Sequence, residues 1–392
     1  MIAPASIPVT GAEAICNVKL LKVLSENGYK IDLISKKMKY THYPETDLKE
    51  LGLNLNSVNT IEVDNKMSLK VIWQHLCCLF IFGTVFKGAH WAYCALKTAK
   101  KLCKENQYDA IITKNSPSEL LGSYFKKKKG YKWIATWNDP YPTKKYPKPY
   151  GNGVTAKLFI FESPLLNLME KADYHIFPNQ RIRDYMRSYL NIPSEKTRII
   201  PHVVIPREHH DTPHENLRIV HLGNLLPPRD AAPFLRALTE FIKNEKDAKL
   251  EIAFIGQTPQ SVKDFVNTIH LEKYVKIFPP VKYKESQHIL ETYDIQLIVE
   301  APCEEGIFLP TKVSDSMQLG KPIFTISPSV GVLNDLYKQG HISYFSSVQN
   351  EKNILSTLRQ IYKDFTNGKI KSFSLEKSYS PRTIFQQYNE II

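Results

Sequence analysis

The residues richest in chemistry sit in one short stretch, 304–322, where Glu304, Glu305, Lys312 and Asp315 lie between the apolar runs 295–299 and 322–326. The runs read as buried strands, so the stretch is strand, acidic loop, short helix, strand. Pro310 and Thr311 suit the helix start, and Gly320 with Pro322 suits its stop. Lys312 and Asp315 are three apart and share one face, while Val313 and Met317 share the other. A polar helix start after a parallel strand presents free N–H groups and the positive end of the helix dipole, which is where open α/β sheets bind anions. We expect a phosphate-bearing ligand there. An ordinary strand-helix-strand unit with surface charges would carry the same residues.

The elements that must hold this stretch alternate along the chain. Residues 1–4 read as the tail of a strand, followed by a helix at 13–27 stopped by Gly28 and a strand at 29–35. So short a first strand means either a start upstream of Met1 or a sheet that begins on a stub. A polar connection, 44–65, carries a short strand at 60–63, and one long helical region is expected over 66–104. Strands at 108–113, 132–136, 174–177 and 198–200 alternate with helices at 118–129, 156–172 and 180–190. The loop 137–153 holds too many prolines for regular structure, and its four aromatics among basic positions suggest contact with a ligand. A second block of strands and helices runs from 218 to 366, with a last helix at 381–392. Such alternation implies parallel sheets covered by helices, in two Rossmann-like domains joined by one linker. The expected divisions are 1–203, a linker at 204–215, 216–378, and a C-terminal helix, 379–392, that returns to the first domain. His209, His210 and His214 fall in that linker without a companion cysteine or a supporting pattern of partners, and read as solvated rather than as metal ligands.

In chain order the motifs are Pro-x-x-Gly at Pro8–Gly11, Ser116-Pro117, Asp139-Pro140-Tyr141, Gly223-Asn224-Leu225, and Leu-Pro-Thr-Lys…Asp…Met-x-x-Gly-Lys-Pro over 309–322. This order resembles family-four glycosyltransferases of the GT-B fold, over nearly the whole chain. The resemblance implies two Rossmann-like domains facing across a cleft, and in that cleft transfer of a sugar from a nucleotide-sugar donor, with retention of anomeric configuration and no bound metal. No Asp-x-Asp occurs in the sequence, so protein cations must meet the departing diphosphate, and Arg229 and Lys312 are the candidates. Asn224 stands where the family often has a further base. Asp315 aligns with the family's ribose-binding acid, and Glu305 or Glu304 with the acid beside the transferred sugar, although the spacing here is ten rather than eight. Gly223 opens the donor-side loop. In the first domain, Gly11 would let backbone amides approach a phosphate. Asn115 holds the position where many relatives carry a histidine, and Asp139 would orient the acceptor hydroxyl.

The chain has 392 residues, enough for two cores, and its hydrophobic and charged shares are those of a folded protein. A formal net charge of +13 asks for an acidic partner. Lys126 to Lys129, Lys144, Lys145 and Lys148, beside the apolar run 71–86, suit an anionic membrane face or a lipid diphosphate carrier. That run is too short to span a bilayer. Six cysteines without metal-ligand spacing fit a reduced, cytoplasmic setting, with peripheral attachment to the inner face of the plasma membrane. The reading is thus a glycosyltransferase of cell-surface polysaccharide synthesis, taking a nucleotide-sugar donor and a saccharide or lipid-linked acceptor, with no cofactor. The alternatives are a catalytically silent GT-B-fold binding partner, a nucleic-acid binder with charge but no recognition motif, and a nucleotide-sugar epimerase lacking its acid-base set.

Overall fold

A computed structural model describes residues 1–7, 11–37, 52–63, 66–157, 161–208, 214–371 and 375–392. Part of the Pro-x-x-Gly loop, much of the polar connection after residue 37, residues 158–160 of the helix expected at 156–172, and His209 and His210 lie outside the described residues.

The first sheet is built from β1 (Asp32–Lys36), β2 (Ser57–Ile61), β3 (Ala110–Lys114), β4 (Lys132–Thr136), β5 (Tyr174–Phe177) and β6 (Thr197–Ile199). Every pairing is parallel. The N-terminal stub is one bridging residue, Ile2, which pairs with Ile34 on one side and Thr113 on the other and so joins the two halves of the sheet. Counting Ile2 as the first strand, the order across the sheet is 3-2-1-4-5-6-7. The second sheet, of β7 (Leu217–Leu222), β8 (Leu250–Ile255), β9 (Val275–Phe278), β10 (Ile295–Val299), β11 (Ile323–Ser327) and β12 (Tyr344–Ser347), runs β12-β11-β10-β7-β8-β9. Both orders reverse direction beside the first strand of their domain, and that switch point is where the loops part to leave a crevice.

The helices are α1 (Ala12–Glu26), α2 (Leu69–Phe82), α3 (Ala89–Glu105), α4 (Ser118–Lys129), α5 (Glu162–Met169), α6 (Gln180–Arg187), α7 (Ala232–Asn244), α8 (Gln260–Thr268), α9 (Tyr283–Glu291), α10 (Thr311–Gln318), α11 (Val332–Lys338), α12 (Glu351–Thr366) and α13 (Pro381–Asn389). Their ends follow local chemistry. Ser68 caps α2, Asn179 caps α6, Asn350 caps α12, and Ser380 with Pro381 starts α13.

Two expectations need correction. The single helical region over 66–104 is two helices, because Gly83 (φ 68°) and Gly88 (φ 88°) take left-handed conformations that stop α2 and start α3. The strand expected at 60–63 begins at Ser57, where Asp32 and its neighbours on β1 supply the pairing.

The first core gathers Trp91, Trp133, Trp137 and Phe125, and the second Phe234, Phe241, Phe254 and Phe324, all fully buried. Three features tie the domains together. Helix α13 packs beside α1 through Ile384 and Tyr388, and the Tyr29 hydroxyl donates to Asn389 at 2.9 Å. Val204 belongs to the core beneath α10 and α11, and its amide donates to the Tyr379 carbonyl at 3.0 Å. The loop after β10 crosses to the first domain, where Ile307 is buried in the first core and its carbonyl accepts from Asn179 Nδ2 at 3.0 Å.

Candidate active site in the interdomain cleft

The carboxyl ends of the two sheets border a cavity of about 470 Å³. The first domain contributes Gly11, Ala12 and Ile15, the start of α1. The second contributes Gly223, Asn224 and Arg229 after β7, and Glu300, Thr311, Lys312 and Asp315 after β10. The two contributing loops of the second domain flank its switch point. Two helix N-termini, of α1 and α10, therefore open onto one space with two cations, an arrangement built to hold negative charge.

Lys312 lies on the first turn of α10, and its Nζ is 3.2 Å from His221 Nε2. His221 Nδ1 is 3.1 Å from the Leu297 carbonyl, which can only accept, so Nδ1 carries the proton and Nε2 accepts from the ammonium. Burial, together with Lys312 and Arg229, keeps the imidazole neutral by pushing its pKa well below the ordinary value. Burial and then the Arg229 charge lower Lys312 to about 8. The lysine is thus held charged near neutrality at a cost that an incoming anion would relieve. Gly223 makes room for it: with φ 98°, its position tolerates few side chains, and a Cβ there would stand 3.0 Å from Lys312 Cε.

Arg229 Nε donates to Glu300 Oε1 at 3.2 Å, and the guanidinium lies 5.7 Å from the Tyr150 ring centroid. Burial opposes its charge, but Glu300, Tyr150 and Asp139 hold its pKa above the ordinary value. Tyr150, from the proline-rich loop of the first domain, donates to Glu300 Oε2 at 2.9 Å. Both oxygens of Glu300 are engaged, one within its own domain and one across the cleft. Asp315 accepts from Lys19 Nζ of α1 at 2.9 Å and from the Tyr283 hydroxyl at 2.8 Å, both on Oδ1. The Lys19–Asp315 pair is buried and is a further bond between the domains.

Of the residues expected from sequence, Gly11, Gly223, Asn224, Arg229, Lys312 and Asp315 line this one cavity. Asn224 turns its Oδ1 to the Gln257 amide at 3.1 Å, tying the loops after β7 and β8 together. Glu305 is elsewhere: Arg181 on α6 takes it at 2.5 Å while also holding Asp335 at 2.6 Å, so the carboxylate points along the first domain and not into the cavity. Glu304 is exposed and does not line the cavity. Their place by the cations is taken by Glu300, the first residue after β10. The usable signal was its position directly after a buried apolar run, where parallel strands present ligand-binding residues.

Asn115 and Asp139 stand on the first-domain side, outside the cavity lining. Asn115 takes a left-handed conformation (φ 57°); its Nδ2 donates to Glu13 Oε1 at 2.7 Å and its Oδ1 accepts from the Asn138 amide at 3.0 Å. It is a brace between α1 and the ends of β3 and β4. Burial raises Glu13 to about 7, aided by the nearby Asp139 charge, and burial raises Asp139 to about 6. Two carboxyls close to neutrality thus lie beside the start of α1.

The glycosyltransferase family 4 model matches residues 17–208, from within α1 to the chain leaving the first domain. In structure the chain is similar to sucrose-phosphate synthase of Thermosynechococcus elongatus, with 13% identity, a TM-score of 0.66, and coverage of 100% of this chain and 97% of that one. It is similar to a point mutant of S. aureus TarM in complex with Fondaparinux, alpha-GlcNAc-glycerol and UDP, with 9% identity, a TM-score of 0.63, and coverage of 100% and 98%. WaaG, a glycosyltransferase involved in lipopolysaccharide biosynthesis, is similar at 11% identity and a TM-score of 0.60 over 99% and 95%. No curated protein matches the chain in sequence. Residues 17–208 thus carry a glycosyltransferase family 4 domain, and the whole chain has the GT-B fold of a glycosyltransferase. Among the described residues, no helix is long and apolar enough to cross a membrane.

Proposed function

We propose that the glycosyltransferase moves a sugar from a nucleoside diphosphate sugar to a saccharide or lipid-linked acceptor, with retention of configuration, in the assembly of a cell-surface polysaccharide at the cytoplasmic face of the membrane. The observation that carries this is the meeting of Arg229, Lys312 and the α1 and α10 N-termini in one cavity with Asp315 at its wall. In the transfer, the bond from the anomeric carbon to the diphosphate oxygen breaks, and the acceptor oxygen forms its bond on the same face of the sugar as its proton passes to the departing diphosphate. Negative charge grows on the departing diphosphate, where Lys312, Arg229 and the two helix starts meet it without a metal. Asp315 takes the ribose hydroxyls, and Gly11 lets the α1 amides approach the phosphate. Glu300, held by Arg229 and Tyr150, takes the place beside the transferred sugar expected for Glu305. Asn115 and Asp139 shape the acceptor side. The TarM mutant is in complex with UDP, and a diphosphate ligand of that class is what this cavity's charge suits.

Thermal-shift screening with uridine, guanosine and cytidine diphosphate sugars tests the reading, followed by release of nucleoside diphosphate from whichever donor binds. Turnover by the wild type that is lost in Lys312→Ala and Asp315→Ala supports it. A panel without any shift would overturn it.

A further inference from the structure

Helix α2 has two apolar faces, and the fold uses only one. Val71, Gln74, Cys78 and Phe82 turn inward and are buried. The opposite stripe is Leu69, Ile72, Trp73, Leu76 and Phe80, at helical spacing, with Leu69 87% and Phe80 85% exposed. Single exposed apolar residues are ordinary, but a continuous stripe of five on one helix marks a surface that meets something. A helix of 14 residues reaches only about 21 Å, short of the hydrocarbon thickness of a bilayer, so it cannot span and must lie along its partner.

Charge decides what that partner is. From Lys66 to Lys104 the chain holds seven lysines and no Asp or Glu. Lys66 and Lys70 stand at the start of α2, and Lys87 just past its end, all exposed. The patch continues sideways, because the Thr84 hydroxyl donates to the Phe161 carbonyl at 3.0 Å and brings the exposed Phe161 and Val85 together. A second copy of the chain would bring the same lysines against these. An anionic lipid surface supplies acyl chains for the stripe and head groups for its border.

We propose that α2 docks the glycosyltransferase flat on an anionic bilayer, with Trp73, Leu76 and Phe80 seated at the boundary of the acyl chains. The patch argues for this independently of the chemistry assigned to the cleft.

Trp73 makes the test direct, since it is 63% exposed while Trp91, Trp133 and Trp137 are buried at 1%, 0% and 0%. The full chain is mixed with phosphatidylcholine vesicles containing or lacking phosphatidylglycerol, some with brominated acyl chains. The expected result is a blue shift and bromine quenching of Trp73 on the anionic vesicles, weakening as salt rises. In Trp73→Phe the signal disappears while the protein still cosediments. Leu76→Glu with Phe80→Glu lowers vesicle binding by at least about tenfold, and Lys70→Glu with Lys87→Glu lowers it without altering the stripe. Nucleotide-sugar hydrolysis in solution is unchanged in both, which separates loss of docking from loss of the fold or of the cleft. No quenching on anionic vesicles at low ionic strength would overturn the proposal, as would a lipid-free dimer in which Trp73 is already shielded from acrylamide.

Discussion

Replacing Lys312 by methionine separates what this residue does for chemistry from what it does for folding, because the two effects have opposite signs. Burial and the Arg229 charge depress its pKa from 10.5 to about 8. A drop of that size means the charged form is disfavoured in the folded protein by at most about 3 kcal/mol, at 1.36 kcal/mol per pKa unit. The folded protein binds fewer protons than the unfolded chain between about pH 8 and 10.5, so stability rises with pH across that window, and the full penalty is present below it. Lys312→Met removes the penalty but also the contact with His221 Nε2. We expect a net gain of about 1 to 2 kcal/mol at pH 7, or roughly 2 to 8 °C in Tm for a domain of this size, fading above about pH 10. Turnover moves the other way. Loss of one preorganised charge beside a departing diphosphate costs on the order of 100- to 1000-fold in kcat. Calorimetry from pH 6 to pH 11 and release of nucleoside diphosphate at saturating donor measure the two quantities. A variant that keeps more than a tenth of wild-type kcat, or melts lower than the wild type at pH 7, refutes the reasoning.

Four further outcomes follow from the same geometry. Gly223→Ala forces an alanine to φ 98° with its Cβ about where Lys312 Cε needs room; it should cost about 1 to 2 kcal/mol by urea titration and weaken donor binding in calorimetry. Tyr150→Phe deletes the cross-cleft bond to Glu300, worth about 1 to 2 kcal/mol, and should enlarge the radius of gyration seen by small-angle scattering without ligand. Lys19→Met leaves Asp315 with Tyr283 alone and breaks a buried ion pair, so a loss of about 3 kcal/mol in denaturant is expected, with weaker nucleotide binding. Glu13, raised from 4.5 to about 7, binds more protons folded than unfolded, so stability falls as pH rises through that window. Glu13→Gln should therefore match the wild type below about pH 4.5 and exceed it above pH 7 by up to about 3 kcal/mol, read from melting curves across that range.

The alternation of strands and helices was legible because short apolar runs such as Ile295–Val299 and Ile323–Ser327 leave little choice but buried parallel strands. The helix start at Thr311 was legible too, since Pro310 before it and Gly320 after it are local signals. What stayed hidden was set by tertiary contact. The two glycines that split 66–104 sit in a run apolar enough to read as continuous helix, and only the packing of α2 on α3 shows the turn between them. Glu300 carries no motif, and its partners Arg229 and Tyr150 are 71 and 150 residues away. Lys19 lies inside a helix that carries no motif either, and its partner Asp315 is 296 residues on. Glu304 and Glu305 stand out locally as an acidic pair, but Arg181 and solvent claim them.

Lys19 and Tyr283 both reach Asp315 through Oδ1, which changes how that carboxylate should be understood. An acid proposed for the ribose but already committed to two donors looks at first like a blocked site. With both donors on one oxygen, however, the carboxylate is turned and held while it still lines the cavity, so its remaining lone pairs have a fixed direction. The lysine comes from α1, whose first residues border the same cavity. The first domain therefore orients a group of the second, and the helix that would offer its amides to a phosphate also aims the acid proposed for the ribose. Glu300 repeats the design with the roles spread differently, its Tyr150 partner coming from the loop on the acceptor side. Each half of the cleft is thus completed by the other, and separating the domains would take one partner from both acids at once, leaving Glu300 to Arg229 and Asp315 to Tyr283, while Lys312 keeps His221 of its own domain. Contact between the domains is then what finishes each half of the cleft.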